Sequence, residues 1–467
     1  MARSRSTALC SRCGQRSARW VGRCSACGAW GTMEEVTLAP VPEAQPAAAP
    51  APLSGFQLAA DACEPTGIGE LDRVLGGGLV RGGAYLLAGE PGVGKSTLLF
   101  QVAARAAGAG RRVLLICGEE TPEQVRIRAE RLGGPPSELW ATRATDAAGV
   151  VAAMEASSAA LVIVDSIQSL SRADVPGVPG SVGQVRACAD ALIRAAKDRG
   201  TTLVLVGQAT KDGQVAGPRT LEHLVDAVLW FEGEPHGSLR LLRATKNRFG
   251  AAHEVGCFAM SPDGLTEITD PSSALVGRRD RHTPGVAVAP LLEGNRAMLV
   301  EIQALVGPTS VPAPRRTGAG LDAQRLGLLV AVLERRGRLR LGGHDVFAAA
   351  MGGVRAAEPA VDLAVALAVA SSFLDAPLPA ATIAIGEIGL SGEIRAVRDV
   401  ARRLEEAARL GFRRAIVHDV DDLPRTAIEL LIARDVLDAL EYLERPTRNG
   451  AHRTSDHPVA MPETALR

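Results

Sequence analysis

An α/β architecture with a parallel sheet, preceded by a small metal module and followed by an α+β region, is the fold class this sequence predicts. Three observations carry that reading. Gly89-Glu90-Pro91-Gly92-Val93-Gly94-Lys95-Ser96 has the spacing of a phosphate-binding loop and lies between an apolar run, Tyr85 to Leu87, and a helical stretch, Thr97 to Ala107. From about Pro65 to Asp270 apolar runs alternate with helical ones, the pattern of parallel strands joined by crossover helices. Two Cys-x-x-Cys pairs stand ahead of both.

A chain of 467 residues holds two or three domains, each able to bury its own core. Its formal charge is zero, so any surface that attracts a polyanion must be local. The first 31 residues meet that condition, with Arg3, Arg5, Arg12, Arg16, Arg19 and Arg23 and no acidic residue. No run is long and apolar enough to span a bilayer, and the amino terminus lacks the apolar core of a signal peptide. The expectation is a cytoplasmic protein, with no membrane partner and with reduced cysteines. Of 52 basic residues only Lys95, Lys197, Lys211 and Lys246 are lysines. In so Arg-rich a background each remaining Lys is a candidate for work that needs a compact ammonium, although Lys197 reads as part of an exposed helix.

Cys10 and Cys13 form one knuckle and Cys24 and Cys27 a second, ten residues on. Four thiolates so spaced suit one tetrahedral zinc ion, and Gly14 and Gly28 suit the tight knuckles. Disulfides are the competing reading, disfavoured in a reducing compartment. Trp20 and Trp30 are expected to pack around this small core, with stacking on nucleic acid as the alternative. Residues 37–62, rich in Ala and Pro, read as a semi-stiff linker.

The phosphate loop sets the roles in the region that follows. Gly92 and Gly94 let the backbone approach the phosphates of ATP, Lys95 holds the outer phosphates, and Ser96, followed by Thr97 in the helix, offers its hydroxyl to Mg²⁺. Helix N–H groups and the helix dipole add positive potential there. Three more apolar strands end in polar residues: Arg112 to Gly118 in Glu119-Glu120, Ala160 to Val164 in Asp165-Ser166, and Thr202 to Val206 in Gly207-Gln208. In a parallel sheet these carboxyl ends line one crevice. Asp165 is therefore the candidate magnesium partner, Glu119 (with Glu120 as rival) the residue that polarises the attacking water, and Gln208 the sensor of the terminal phosphate. Residues 172–182 and 211–220, the latter with Lys211 and Arg219, read as mobile loops able to grip a phosphate backbone. Lys246-Asn247-Arg248-Phe249-Gly250 closes a strand, Leu239 to Thr245, and its two cations suit a finger that reaches a phosphate across a subunit boundary.

Taken together, the cysteine knuckles with Trp20, Thr66-Gly67-Ile68-Gly69-Glu70-Leu71-Asp72-Arg73-Val74-Leu75-Gly76-Gly77-Gly78, the phosphate loop, Thr210-Lys211-Asp212-Gly213 and the Lys-Asn-Arg-Phe-Gly run resemble the bacterial RadA (Sms) family up to about residue 445. The resemblance implies a RecA-type ATPase core working as a homohexameric ring. It also implies a motor on single-stranded DNA and branched recombination intermediates, alongside the RecA recombinase. At Gln208 members of that family often carry His.

Beyond Asp270, two strands are expected within Pro284 to Val306 around the turn Glu293-Gly294-Asn295, and helices over Gln324 to Arg335, Val361 to Ser372 and Val400 to Leu410. A hairpin is expected from Thr382 to Leu390 and Glu393 to Val397. Glu358-Pro359-Ala360 before a long apolar helix, then Gly386-Glu387-Ile388-Gly389-Leu390, resembles the proteolytic domain of Lon proteases. Following that match, Ala360 stands at the nucleophile's place and Ala401 near the lysine's, and no lysine follows Lys246. A Ser-Lys peptidase needs both groups, so a domain without peptidase activity is expected, with Arg315 and Arg316 as candidate phosphate contacts. The expected organisation is a zinc module (1–36), linker (37–62), ATPase domain (63–272), Lon-like domain (273–445) and a disordered tail (446–467). An ATP-dependent protease and a non-catalytic nucleotide-switch scaffold are the competing functions.

Overall fold

The computed structural model describes residues 6–10, 16–17, 20–37, 52, 63–208, 220–233, 239–277, 283–419 and 426–444. Cys13, the Thr210-Lys211-Asp212-Gly213 motif, Arg219 and the tail lie outside them. The chain divides into two compact units, Met1–Ala60 and Asp61–Arg467. In the first, β1 (Ser6–Cys10) pairs antiparallel with β2 (Arg16–Ser17) and β3 (Met33–Thr37). Ala8, Cys10, Cys24 and Met33 form its small core.

The second unit opens with β4 (Cys63–Glu64), α1 (Gly69–Leu75) and β5 (Leu79–Val80). There follow β6 (Ala84–Gly89), α2 (Lys95–Gly108), β7 (Val113–Cys117), α3 (Pro122–Arg131), β8 (Leu139–Arg143) and α4 (Ala147–Ser157). Next come β9 (Leu161–Asp165), α5 (Val182–Arg199), β10 (Thr202–Gln208), β11 (Ala227–Gly233), β12 (Leu239–Asn247), β13 (Val255–Ser261) and β14 (Gly264–Glu267). Nine strands form one sheet in the order β14-β13-β12-β11-β6-β10-β9-β7-β8. The six from β11 to β8 are parallel, and β12 to β14 continue antiparallel. Burial explains the apolar runs: β6 and β7 are buried along their whole length. Alternate residues serve opposite faces, Tyr85 and Leu87 packing in the core with α2, and Ala84, Leu86 and Ala88 in the core with α4 and α5.

After α6 (Pro271–Leu275), β15 (Val286–Glu293) and β16 (Arg296–Pro308) form the expected hairpin. With β17 (Arg316–Ala319), α7 (Ala323–Arg335) and β18 (His344–Ala350) they complete a four-stranded sheet, β15-β16-β18-β17, against which α7 and α8 (Asp362–Leu374) pack. The predicted hairpin after Thr382 is instead two structures. β19 (Thr382–Ile385) pairs in parallel with a later strand, β22 (Arg414–Val417), and only β20 (Glu387–Ile388) and β21 (Ile394–Arg395) make a hairpin. Gly386 marks the break, where a Cβ would meet Ile394 Cγ2 at 2.7 Å. α9 (Val400–Arg409) precedes β22, and β23 (Glu429–Ile432) and α10 (Val436–Glu441) follow it.

Arg403 of α9 is fully buried. It forms an ion pair with Glu358, and its Nη1 also donates to the Pro290 carbonyl and its Nε to that of Arg398. Glu358 accepts the Leu292 N–H as well, so one ion pair joins α9, β15 and the turn before α8. Ala360 lies buried two residues after Glu358, whereas Ala401 is exposed. Among the described residues no helix is long and apolar enough to cross a membrane.

Removing one member strands the other charge, at a cost of about 3 to 5 kcal/mol. Arg403→Met is expected to lower the calorimetric unfolding temperature clearly, and Arg403→Met with Glu358→Leu to recover most of the loss. Equal unfolding temperatures for wild type and Arg403→Met would remove the pair from the fold's support.

Candidate functional site

In the phosphate loop, Gly89 and Gly94 have φ of 159° and 113°. A Cβ on Gly89 would lie 2.1 Å from the Phe231 carbonyl, so backbone packing requires glycine there, while at Gly94 the left-handed φ favours it. Lys95 starts α2 almost fully buried and donates to the carbonyls of Gly89 (2.9 Å) and Glu90 (2.8 Å). Burial holds its pKa below the ordinary lysine value, against the pull of Asp165 and Glu119. An anionic phosphate would restore what burial removes.

The other three strand ends arrive as expected. Asp165 at the end of β9 bonds to the Ser96 hydroxyl, and both line a cavity of about 150 Å³ together with Glu119, Cys117 and Arg128. Hydroxyl and carboxylate meeting beside the loop form the oxygen-rich set that Mg²⁺ takes, which fits this cation with ATP as substrate. Burial raises the Asp165 carboxyl above its ordinary range, more than the Ser96 bond lowers it.

Glu119 accepts from Gln208 Nε2 at 2.8 Å and from the Ser166 hydroxyl at 2.6 Å. Glu120 also lines the cavity and pairs there with Arg128 of α3 at 2.9 Å, where a capping box between Thr121 and Gln124 starts that helix. The two glutamates thus differ in their partners: Glu119 meets Gln208 and Ser166, and Glu120 meets Arg128, while both line the cavity. Ser166 was not among the residues singled out, because a serine after a strand-end aspartate carries no pattern of its own.

Lys246 and Arg248 do not join this group. β12 runs antiparallel to β11, so Lys246 lies level with Val228 and, through it, Leu86, while the loop leaves β6 at the other end. Lys246 Nζ donates to the carbonyls of Glu222 (2.6 Å) and Val225 (2.8 Å). Arg248 pairs with Asp226 at 3.2 Å and donates its N–H to the Asp226 carbonyl. Asp226 is a buried hub that also takes Lys197 (3.2 Å) and the Ala84 N–H (3.0 Å), so Lys197 has a partner the sequence does not reveal. A strand of six residues rises about 3.3 Å each, which puts the Arg248 backbone on the order of 17 Å from Gly89.

Two expectations for DNA-gripping segments change. Residues 172–181 are stitched down by the buried Gln184, which accepts from the Arg172 N–H and donates to the carbonyls of Arg172, Val175 and Gly177, while the Arg172 side chain is taken by Asp174. Arg316 is similarly occupied by the carbonyls of Arg315, His344 and Leu341, whereas Arg315 is exposed. The 211–219 segment lies outside the described residues.

In the amino-terminal unit the sulfurs of Cys10, Cys24 and Cys27 lie within 4.8 Å of one another. Cys10 Sγ and Cys27 Sγ are 3.7 Å apart, far longer than the roughly 2.05 Å of a disulfide. That distance matches the edge of a tetrahedron with about 2.3 Å zinc–sulfur bonds, so the thiolates fit the metal. Trp20 and Trp30, 56% and 75% exposed, do not pack inward as expected. Among the described residues, Ala8, Cys10, Cys24 and Met33 form the core.

Residues 9–35 match the family model described as Rubredoxin metal binding domain, 51–214 the one described as AAA domain, and 350–421 the one described as Subunit ChlI of Mg-chelatase. A DNA repair protein RadA from Mycobacterium tuberculosis is 46% identical over 451 residues, covering 95% of this chain and 94% of its own. The chain belongs to the RadA family. RadA of Bacillus subtilis is 44% identical over 89% of this chain and 93% of its own, and RadA of Haemophilus influenzae 43% over 95% and 100%. This RadA family member is a DNA-repair ATPase with an amino-terminal zinc ribbon, an AAA/RecA-like core and a Lon-like carboxyl-terminal domain.

A carboxylate holds a cation only when ionised, so nucleotide binding that depends on magnesium at Asp165 is expected above its pKa and lost as pH falls through it. Because burial raises that pKa, the loss is expected at higher pH than for an ordinary carboxylate near 4. Calorimetric titration of nucleotide over the mildly acid range checks this, and Asp165→Asn should weaken binding and flatten the profile.

Proposed function

We propose that this chain hydrolyses ATP between neighbouring subunits of a homohexameric ring and uses the cycle to move single-stranded DNA and branched recombination intermediates. The observation that carries the proposal is the separation of Lys246 and Arg248 from their own phosphate loop. Glu119, Asp165, Gln208 and Lys95 gather at one end of the sheet, and the cation pair sits at the other. Cations so far from their own loop cannot serve that nucleotide, which supports a role at a neighbour's.

In this reading Lys95 holds the outer phosphates while the backbone of Gly89, Glu90, Pro91, Gly92, Val93 and Gly94 wraps them, and Ser96 and Thr97 open the helix beside them. Ser96 and Asp165 hold Mg²⁺, which neutralises charge on the phosphates. Glu119 accepts a proton from the attacking water, its carboxylate oriented by Ser166 and Gln208. Gln208 touches Glu119 directly, so sensing of the terminal phosphate and placement of the base are one arrangement. Lys246 and Arg248 from the next subunit compensate the charge that develops on the transferred phosphoryl group. Cys13 completes the zinc site of Cys10, Cys24 and Cys27. The carboxyl-terminal domain works without peptidase activity, since the position after Pro359 is Ala360 and no lysine follows Lys246. Cooperation with the RecA recombinase and a cytoplasmic location belong to the same reading.

Lys95→Ala is expected to abolish turnover. Lys246→Ala and Arg248→Ala should leave nucleotide binding near wild type and lower turnover by about 10³ or more. Mixing Lys95→Ala chains with Arg248→Ala chains should restore part of the DNA-stimulated ATPase, because some interfaces then pair an intact loop with an intact finger. Mixtures as inactive as their parents, at subunit ratios shown to co-assemble, would reject the shared site.

A further inference from the structure

The two tryptophans of the zinc module have no place in its core, and their arrangement is specific. Each is flanked by residues that fix it: Trp20 donates its indole N–H to the Met33 carbonyl at 2.8 Å, and Trp30 bridges to Arg23 through the backbone. Their benzo rings converge over Gly22. A Cβ there would lie 3.8 Å from Trp30 and 4.0 Å from Trp20, so a larger side chain at this position would crowd the edges of both indoles. Arg23 donates its Nε to the Gly28 carbonyl at 3.0 Å, with its guanidinium carbon 5.8 Å from the centre of the Trp30 ring. A cation is thereby fixed over the Trp30 ring.

Indoles bury large apolar areas in most folds, so two left open in so small a module mark a contact surface. The charge of the segment selects its occupant. Six arginines and no acidic residue among the first 31 residues favour a polyanion over an apolar or basic protein surface. A polyanion that also presents flat aromatic faces is a nucleic-acid strand with unpaired bases, for which stacking on aromatic side chains is sequence-tolerant. We propose that Trp20 and Trp30 stack unpaired nucleobases of a single strand, with Arg23 taking the adjoining phosphate. A duplex, whose bases are already stacked on each other, offers no free faces to these indoles.

The site lies in the amino-terminal unit, so its test must separate it from DNA bound by the ATPase unit. In full-length chain carrying Trp140→Phe and Trp230→Phe, the remaining indole fluorescence belongs to Trp20 and Trp30. A labelled thymidine oligonucleotide reports binding anywhere on the chain by anisotropy. Quenching of the two indoles, saturating with that binding, is expected with the thymidine strand and absent with an abasic strand of equal charge; a ribose strand shows whether the indoles accept RNA as well. Gly22→Val, whose side chain meets only ordinary contacts at its Cβ, should crowd both indoles and weaken the quenching titration about tenfold or more at unchanged zinc content. Trp30→Phe should retain more affinity than Trp30→Ala. Anisotropy that saturates while the indoles remain unquenched would overturn the proposal and leave the motor reading standing, as would an equal response to the abasic strand. Absence of any anisotropy change would overturn both.

Discussion

Parallel pairing of β6, β10, β9 and β7, in that spatial order, is the constraint on which the site depends. Neighbouring strands lie about 4.8 Å apart, so four carboxyl ends in adjacent positions form a row on the order of 15 Å long. Along that row stand the phosphate loop, Gln208, Asp165 and Glu119. Their neighbours in sequence are buried in the sheet, and this is why Lys95 and Asp165 lose hydration and shift in opposite directions toward their neutral forms. The arrangement holds two opposite charges in a partly dry crevice, beside an Mg²⁺-ready oxygen pair. Stabilisation of the crevice and affinity for a charged ligand therefore arise from the same burial.

The buried strands were legible because each is a continuous apolar run that ends abruptly in a polar residue. The phosphate loop was legible because glycine spacing and a following Lys-Ser are local features. What was not legible depends on partners distant in the chain. Nothing near Lys197 announces Asp226, 29 residues on, and nothing in the 172–181 segment announces that Gln184 will bind three of its carbonyls. The hairpin after Thr382 was misread because alternating apolar residues continue through Gly386, and only the close approach of Ile394 shows why the strand divides there. For the tryptophans the described core, Ala8, Cys10, Cys24 and Met33, includes neither indole, and both stand exposed.

The Lon-like region illustrates how a site can change its content while keeping its frame. Glu358 precedes Pro359-Ala360, and its partner Arg403 lies two residues beyond Ala401 on the buried side of α9. Where the protease resemblance places reactive groups, this chain has a buried small residue and a solvent-facing one, with an ion pair tying the same elements together. The frame is held by charge rather than by chemistry with a substrate.

Asp226 has a mechanical corollary. Its carboxylate takes the Ala84 N–H at the root of β6, and its own N–H returns to the Ala84 carbonyl, while the same side chain restrains Arg248. β6 is a fully hydrogen-bonded strand between two others, stiff along its axis, and its far end is Gly89. The root of the phosphate-bearing strand and the arginine on the opposite rim thus share one tether. Drawing Arg248 away would therefore load the same carboxylate that anchors the root of that strand.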